Sequence, residues 1–407
     1  MIQRLIRKTV ADSLFKGKVV IIYGPRQSGK TTLVQDILQE FEDTNYTSKY
    51  RLGTSKETLS TSNNSKIKQN DKNLATKYFS CDNREVIDML SPESYDQLQR
   101  NIGNYDLIVI DEAQRVTNIG LKLKLLVDNN PKMQIIATGS ASFDLANKIK
   151  EPLTGRFYEY ELLPLSIVEI MGDRAGAIEY EKELYRSIIY GSYPDTYNKT
   201  NSEAIKLLNN LSGSYLYKDI LELENLKKSE SLEKIVKMLA FQIGNEVNLN
   251  EIAREVKLNL RTVESYTNLL EKAYVIFRLR AYSSNQRSEI SRNFKVYFYD
   301  LGIRNSIVNN WNDVENRTDA GAIFENWCVL EKLKSNCYNN KPHVNTYFWR
   351  SYTQKEIDYI EEFNGTLKAF EFKLNKDRAT NYNKLIEELN LKELTIINSK
   401  NIKEFLI

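Results

Sequence analysis

Residues 18–31 read KVVIIYGPRQSGKT, from Lys18 to Thr31, so that an apolar run leads directly into a glycine-rich stretch. The apolar run at 18–23 predicts a buried strand. Residues 24–31 match the pattern G-x-x-x-x-G-K-[ST], and residues 32–38 have the spacing of a helix. A chance glycine-rich turn would not come with both of these neighbours. The stretch therefore predicts a phosphate-binding loop in an α/β fold.

The residue types in this loop suit a chain of phosphates. Glycine lets the backbone approach phosphate closely, and the amide groups that open the following helix face the anion. Lys30 is expected to reach the β- and γ-phosphates, and Thr31 to ligate Mg²⁺. The predicted nucleotide contacts are Gly24, Pro25, Arg26, Gln27, Ser28, Gly29, Lys30, Thr31 and Thr32.

A second motif downstream is an apolar strand that ends in two acids, Leu107-Ile108-Val109-Ile110-Asp111-Glu112. Asp111 is expected to hold Mg²⁺, and Glu112 to polarise the attacking water as a general base. Taken alone, the pattern would also fit a strand that ends in exposed acids. Its position behind a phosphate-binding loop favours the catalytic interpretation.

A third apolar strand at 133–137 ends in Thr138-Gly139-Ser140. Ligands of open α/β sheets bind at the carboxyl ends of the strands. Thr138 and Ser140 are therefore candidate sensors of the γ-phosphate. Ordinary turn chemistry at the end of a strand is the alternative explanation of these residues.

These three motifs together resemble the AAA-type ATPases of bacteria and archaea that carry a C-terminal restriction-endonuclease-like domain of unknown function. The resemblance continues along nearly the whole chain. Further matching stretches are Leu153-Thr154-Gly155-Arg156, Leu163-Pro164-Leu165-Ser166, Gly191-Ser192-Tyr193-Pro194, Tyr217-Lys218-Asp219-Ile220 and Tyr299-Asp300-Leu301-Gly302.

The resemblance implies a doubly wound parallel sheet with helices on both faces, binding of ATP with Mg²⁺, and hydrolysis. Arg156 matches a Gly-Arg pair of the family and is a candidate arginine finger, acting in its own subunit or in a neighbouring one. The alternative is an arginine paired with a carboxylate at a helix end. Residues 43–77 depart from the family and predict a polar, largely disordered insertion.

Four domains are expected. These are an ATPase core at 1–165, a helical lid at 166–245, a winged helix-turn-helix at 246–285 and a nuclease-like α/β domain at 286–407. The helix-turn-helix is read from residues 247–270, and the alternating segment 274–280 predicts a wing strand. Its charge is mixed, because Glu264 and Glu271 oppose several arginines. Phosphate neutralisation dominates affinity for DNA, so protein–protein packing is favoured over DNA contact.

The C-terminal pattern of a helix, three strands, a helix at 379–389 and a strand is that of the PD-(D/E)xK nuclease core. Glu325 lies near the start of the first helix, Asp358 opens a strand, and Glu371 and Lys373 share one strand face. Asp358 and Glu371 would form a second Mg²⁺ site, with Lys373 beside the attacking water. Two interpretations stay open: metal-dependent phosphodiester cleavage, or a structural ion-pair cluster in an inactive descendant.

Composition excludes several classes of protein and several kinds of metal site. The 407 residues include 57 basic and 54 acidic ones, and a net charge of +3 is too balanced for bulk coating of nucleic acid or membrane. The single histidine, His343, excludes a two-histidine metal site, and the three cysteines form no C-x-x-C pair. The sequence shows neither a signal-peptide run nor about 20 consecutive apolar residues, which predicts a cytoplasmic protein.

The sequence supports two hypotheses of function, and ATP and Mg²⁺ are the expected cofactors in both. One is an ATPase that couples nucleotide state to the winged-helix and nuclease-like module and acts on DNA or RNA. The other is a nucleotide-dependent switch or scaffold that binds a protein partner, with an inactive nuclease-like domain. Both allow an oligomer. A metabolic kinase is disfavoured, because no acceptor-substrate motif is present.

Overall fold

The computed structural model describes residues 2–42, 74–139, 152–172, 175–215, 229–283, 294–339, 344–351, 355–374 and 391–406, with 386 and 389. Ser140, His343, most of the insertion at 43–77 and most of the helix at 379–389 lie outside these residues. The chain divides into two compact units. The N-terminal unit is Ile6–Leu162, and the C-terminal unit is Leu163–Ile407 together with Met1–Leu5.

The N-terminal unit contains a five-stranded sheet in the order β2-β3-β4-β1-β5, in which every neighbouring pair is parallel. The strands are β1 (Val19–Tyr23), β2 (Thr76–Ser80), β3 (Leu107–Asp111), β4 (Gln134–Gly139) and β5 (Phe157–Glu161). The helices are α1 (Ile6–Asp12), α2 (Lys30–Glu42), α3 (Arg84–Met89), α4 (Tyr95–Ile102) and α5 (Ile119–Asn129).

Burial explains the composition of these strands. The inner strands β1, β3 and β4 are buried over nearly their whole length, as expected for parallel strands covered by helices. The outer strands β2 and β5 are mostly half-buried and contain charged residues. Thr76 and Lys77, which the sequence places in the insertion, belong to β2. The parallel α/β sheet that the sequence predicts is confirmed.

The C-terminal unit contains helices before, within and after its sheet. They are α6 (Ile167–Met171), α7 (Ala177–Tyr190), α8 (Asn201–Asn210), α9 (Ser229–Phe241), α10 (Leu249–Val256), α11 (Leu260–Lys272), α12 (Leu301–Val308), α13 (Ala320–Tyr338) and α14 (Ile402–Leu406). Asparagine caps define the helix pair α10–α11. Asn248 accepts from the amides of Asn250 and Glu251, and Asn259 accepts from the amide of Thr262.

The six strands of this unit form a mixed sheet in the order β11-β10-β9-β8-β6-β7. They are β6 (Ile276–Ala281), β7 (Phe294–Phe298), β8 (Asn345–Arg350), β9 (Glu356–Phe363), β10 (Thr366–Phe372) and β11 (Glu393–Ile397). The β6–β8 and β10–β11 pairs are parallel, and the other three pairs are antiparallel. Asn364 and Gly365 turn β9 into β10 with φ angles of 49° and 73°, the left-handed conformation that such a hairpin requires.

One hydrophobic core connects the helices of this unit with its sheet. Leu184 of α7, Leu239 of α9, Leu270 of α11, Phe298 of β7 and Trp327 of α13 all belong to it. β6, the predicted wing strand, pairs with β7 on one side and β8 on the other. The helix pair therefore continues into an inner strand of the six-stranded sheet. The boundaries at 165, 245 and 285 as limits of separate domains stay predictions.

Two of the three cysteines are buried. Cys81, Cys328 and Cys337 all lie among the described residues, and none of them forms a disulfide. Burial raises the pKa of Cys81 to about 12 and that of Cys328 well above its usual value, which makes both poor nucleophiles. Among the helices of the described residues, none is long and apolar enough to cross a membrane.

Candidate nucleotide-binding site and C-terminal carboxylate cluster

The predicted phosphate-binding loop connects β1 to α2, and glycine is required at its first position. Gly24 has φ 151°, and a Cβ there would lie 2.2 Å from the carbonyl oxygen of Leu162. The amide of Leu162 in turn donates to the carbonyl of Tyr23 at 2.8 Å. Gln27 and Gly29 also have positive φ, 58° and 92°. Backbone packing therefore shapes the loop independently of any ligand.

Lys30 begins α2 and is 5% exposed. Its ammonium donates to the carbonyls of Gly24 at 3.0 Å and Pro25 at 2.7 Å. Burial lowers the pKa of Lys30 to about 8, against the opposing attraction of Glu112 and Asp111. A phosphate chain that replaced these carbonyls as partners would favour the charged ammonium, because opposite charges raise a lysine pKa.

Asp111, at the end of β3, accepts hydrogen bonds from three side-chain hydroxyls of the site. Its Oδ2 accepts from the Thr31 hydroxyl at 2.8 Å and from the Tyr78 hydroxyl, and its Oδ1 accepts from the Thr138 hydroxyl. Asp111 itself is 4% exposed. The Thr31 hydroxyl beside a carboxylate gives the hard oxygen ligands that Mg²⁺ prefers, so these residues fit the metal that the sequence implies.

Glu112 follows in a strained conformation, with φ 53° and ψ 40°. Left-handed backbone at a residue other than glycine costs roughly 1–3 kcal/mol and is concentrated at functional sites. The amide of Glu112 donates to the Thr138 hydroxyl at 3.3 Å. Its carboxylate accepts from the side-chain amide of Gln114. The half-buried carboxylate is thereby fixed next to Asp111.

Sequence reasoning missed Tyr78 and Gln114. Tyr78 lies on β2, and the parallel register pairs Ser80 with Asp111, which brings Tyr78 to the same face as the carboxylate. The available signal was the pair of aromatic residues at 78–79, which directly follows the predicted insertion. Gln114 follows the acidic pair by two residues, so its reach to Glu112 depends on the short turn after β3.

The predicted roles of Arg156, Thr138 and Ser140 are not tested by the contacts of this site. Arg156 is 42% exposed at its side chain, and its Nε donates to Asp128 at 2.6 Å. This is the carboxylate pairing named as the alternative, and the finger role stays a prediction. The sensor role of Thr138 also stays a prediction, although its hydroxyl lies between Asp111 and Glu112. Ser140 lies outside the described residues.

The C-terminal sheet brings together the four predicted nuclease residues. The β9–β10 register pairs Tyr359 with Phe370, so Asp358 and Glu371 lie opposite each other one step along. Both are buried. Asp358 accepts from the amide of Phe372 at 2.8 Å, and Lys373 donates to Glu371 at 2.6 Å.

Lys295 of β7, which the sequence analysis did not single out, is the central cation of this cluster. It is 1% exposed, donates to Glu325 at 2.7 Å and forms an ion pair with Glu356. Tyr297, two residues along the same strand, donates to the same oxygen of Glu325 at 2.6 Å. We call Glu325, Glu356, Asp358 and Glu371 the carboxylate cluster; Lys295 forms ion pairs with the first two.

Electrostatics tie these groups together. Burial alone would lower the pKa of Lys295, but Glu325, Asp358 and Glu356 raise it above its usual value. Burial raises the pKa of Glu325 to about 7, with Lys295 opposing and Asp358 reinforcing the shift. Burial likewise raises the pKa of Asp358. Within the residues that the structure describes, no group of three or more His, Cys, Asp or Glu side chains is arranged to hold a metal ion.

A charged residue of the helix pair α10–α11 is paired with an arginine of the strand that follows it. Arg278 of β6 donates from Nε to Glu271 of α11 at 2.8 Å and from Nη2 to Asn268 at 2.8 Å. Its guanidinium also lies 5.3 Å from the ring centroid of Phe294. One of the arginines expected to oppose Glu271 in phosphate binding is thus paired with that glutamate.

Comparison with known families assigns the first part of the chain. A model described as an AAA domain matches residues 16–171. Models of two domains of unknown function, DUF8612 and DUF4143, match residues 181–314 and 320–404. With the loop and sheet geometry above, the first match makes the N-terminal unit an AAA-type P-loop domain, which is an ATP-binding fold. The endonuclease-like part of the resemblance stays a prediction, because its region matches only a domain of unknown function.

Two relatives that match most of this chain are described as uncharacterized proteins. Rv2008c of Mycobacterium tuberculosis is 25% identical over 366 residues, which cover 89% of this chain and 71% of the relative. MJ1544 of Methanocaldococcus jannaschii is 22% identical over 422 aligned positions, covering 97% and 84%. The similarity therefore extends across both units.

Two solved structures show weak similarity. A DNA replication initiation factor has a TM-score of 0.25 at 16% identity, covering 65% of this chain and 87% of that one. A Drosophila ORC structure bound to AT-rich DNA and Cdc6 has a TM-score of 0.23 at 9% identity, covering 72% and 87%. Scores at this level carry no argument about function.

Proposed function

We propose that the N-terminal unit is a Mg²⁺-dependent ATPase. Gly24 to Thr32 surround the phosphates, Lys30 neutralises them, and Thr31 and Asp111 hold Mg²⁺. The metal would supply charge neutralisation at the β- and γ-phosphates. Glu112 polarises the attacking water, and Thr138, Ser140 and Arg156 respond to the γ-phosphate.

The observation that carries this proposal is the convergence on Asp111. Three elements each send a hydroxyl to one buried carboxylate: Thr31 from α2, Tyr78 from β2 and Thr138 from β4. A metal site must be held within about 0.5 Å of its working geometry, and these contacts supply that support. Glu112 is positioned by the same Thr138 hydroxyl through its backbone amide.

Titration calorimetry and phosphate release test the proposal. Wild type is expected to take up ATP with Mg²⁺ and to release phosphate. Lys30→Ala should bind ATP much more weakly. Removing one partner of a buried charge pair costs about 2–5 kcal/mol of binding free energy, and this variant leaves the phosphates without the lysine's charge. A folded wild type that takes up no adenine nucleotide would overturn the assignment.

We also propose that the nucleotide state is read out by the C-terminal unit, which engages a macromolecular partner. A protein partner is favoured over nucleic acid, because Arg278 is already paired with Glu271 and the overall charge is only +3. In the nucleic-acid alternative, DNA or RNA would stimulate hydrolysis and its binding would weaken steeply with salt.

The discriminating measurement is the ATPase rate with and without DNA and RNA at two salt concentrations. Unchanged rates support the protein-partner readout. Stimulation that disappears at high salt supports action on nucleic acid and overturns that preference. Native mass measurement of the same samples reports oligomeric state and whether it depends on nucleotide.

A further inference from the structure

Three acidic side chains of the C-terminal unit, Glu325, Glu356 and Asp358, lie around Lys295, and Glu371 lies opposite Asp358 on the neighbouring strand. A nuclease-like site would need a divalent cation at this place. Glu325 comes from α13, Glu356 and Asp358 from β9, and Glu371 from β10. Lys295 reaches this group from β7. The five residues are separated by up to 76 positions in the sequence, so the sheet topology, and not a local motif, creates the arrangement.

Donors already engage one oxygen each of Glu325, Glu356 and Asp358, oxygens that Mg²⁺ or Mn²⁺ would need as ligands. Glu325 Oε1 accepts from both Lys295 and Tyr297, and Glu356 is in an ion pair with Lys295. Asp358 Oδ2 accepts from a backbone amide. An ammonium has three donors and no lone pair, so it occupies carboxylate oxygens without itself being able to ligate a metal.

The lysine is also built into the sheet as a permanent charge. Its side chain is 1% exposed and its ammonium lies 5.5 Å from the ring centroid of Phe348. A buried ammonium without carboxylate partners is very costly, because its desolvation is uncompensated. The ammonium and the acids are therefore each other's counter-charges, and a divalent cation entering the group would meet a fixed positive charge.

We propose that Lys295 is the resident cation of the carboxylate cluster and takes the place of a divalent metal. The nuclease-like sheet then has an ion-pair centre without metal-dependent cleavage. This goes beyond the proposed ATPase function and does not depend on it, because the two sites use different residues in different units.

Mn²⁺ binding to the full chain without nucleotide tests the proposal. All proteins carry Asp111→Asn, so that binding near the N-terminal carboxylate does not contribute. The protein with Lys295 intact and its Asp358→Asn version are expected to give the same titration. A site that binds Mn²⁺ with Lys295 present and is lost with Asp358→Asn would overturn the proposal.

The converse experiment removes the ammonium. Lys295→Met keeps the aliphatic stem and is expected to melt at a lower temperature, gain one Mn²⁺ site and recover several degrees when Mn²⁺ is added. Adding Asp358→Asn should abolish both the site and the recovery. A folded Lys295→Met protein that gains no Mn²⁺ site would refute the replacement of metal by lysine. If Lys295→Met does not fold, the Mn²⁺ titrations of the protein with Lys295 intact and of its Asp358→Asn version still test the proposal.

Incubation with Mg²⁺ or Mn²⁺ and a range of DNA and RNA substrates adds an independent readout. Wild type and Asp358→Ala are expected to give the same background of nicked product. Nicking by wild type that Asp358→Ala removes would overturn the ion-pair assignment while leaving the ATPase proposal untouched.

Discussion

Asp111 and Asp358 are both buried aspartates on strands, but the groups around them differ. Asp111 is surrounded by neutral hydroxyls from Thr31, Tyr78 and Thr138. Asp358 belongs to a group with Lys295 at its centre. Hydroxyls can rotate and offer lone pairs to a metal, whereas an ammonium cannot. A buried aspartate on a strand therefore does not define the chemistry of a site by itself. The groups around it decide whether it can hold a metal.

The largest expected effect is on the hydrolytic step in the N-terminal unit. Glu112→Gln removes the base while keeping the shape and the acceptor for Gln114, so phosphate release should slow by about 10²–10⁴-fold. ATP binding measured by calorimetry should stay close to wild type. Equal hydrolysis by wild type and variant would contradict the role of Glu112.

A matched pair of substitutions tests directly whether the two aspartates differ in function. Asp111→Asn should reduce the Mg²⁺-dependent ATPase rate by on the order of 100-fold, since metal charge stabilisation supplies several kcal/mol. Asp358→Asn should leave the rate per bound nucleotide within about twofold. The assay is phosphate release across a Mg²⁺ titration. A similar loss in both variants would mean that the two carboxylates are not functionally distinct.

Glu325 of the carboxylate cluster should contribute to the pH dependence of stability, beside Glu159, whose pKa burial raises to about 6. The raised pKa of Glu325, about 7, means that its contribution is present below its ordinary pKa of 4.5 and is lost as pH rises through 7. The free energy of unfolding should therefore fall between pH 5 and 7, by at most about 3 kcal/mol. The group faces Lys295, Tyr297 and Asp358, and the lysine keeps its charge throughout this window.

Denaturant unfolding at a series of pH values measures this slope. Glu325→Gln, which keeps an acceptor for Lys295 and Tyr297 but does not titrate, serves as the control and should make the slope shallower. Identical slopes in the two proteins would assign the pH dependence to other groups.

The smallest expected effect concerns Tyr78. Tyr78→Phe removes one hydroxyl from Asp111 and keeps the ring, so the Mg²⁺ concentration for half-maximal activity should rise by about five- to tenfold, the size of one ordinary intramolecular hydrogen bond of about 1 kcal/mol. The maximal rate should change little. Loss of the maximal rate with unchanged Mg²⁺ dependence would instead place Tyr78 in the chemical step.

Short-range patterns predicted the N-terminal sheet and its loop because their signals are contiguous. A buried strand, a glycine-rich turn and a helix follow one another at 18–38, and β3 ends at its acids. The sequence also located the strands that carry Asp358 and Glu371, because alternation and the Asn364-Gly365 turn are local features.

The partners of these residues could not be predicted in the same way. Tyr78 reaches Asp111 only through the pairing of β2 with β3. Lys295 reaches Glu325 and Glu356 because β7 and α13 pack in one core with the sheet. Sheet order is a property of long-range pairing, and a single sequence specifies its local elements more directly than their neighbours.

The contact between Gly24 and Leu162 has a mechanical consequence. The phosphate-binding loop lies so close to the Leu162 carbonyl that no added atom fits between them, and Leu162 is the last residue before the chain enters the C-terminal unit. A side chain at position 24 would therefore have to displace the peptide that begins the connection. In the readout that we propose, this contact would be a steric first link between the bound triphosphate and the partner, and it would need no side chain.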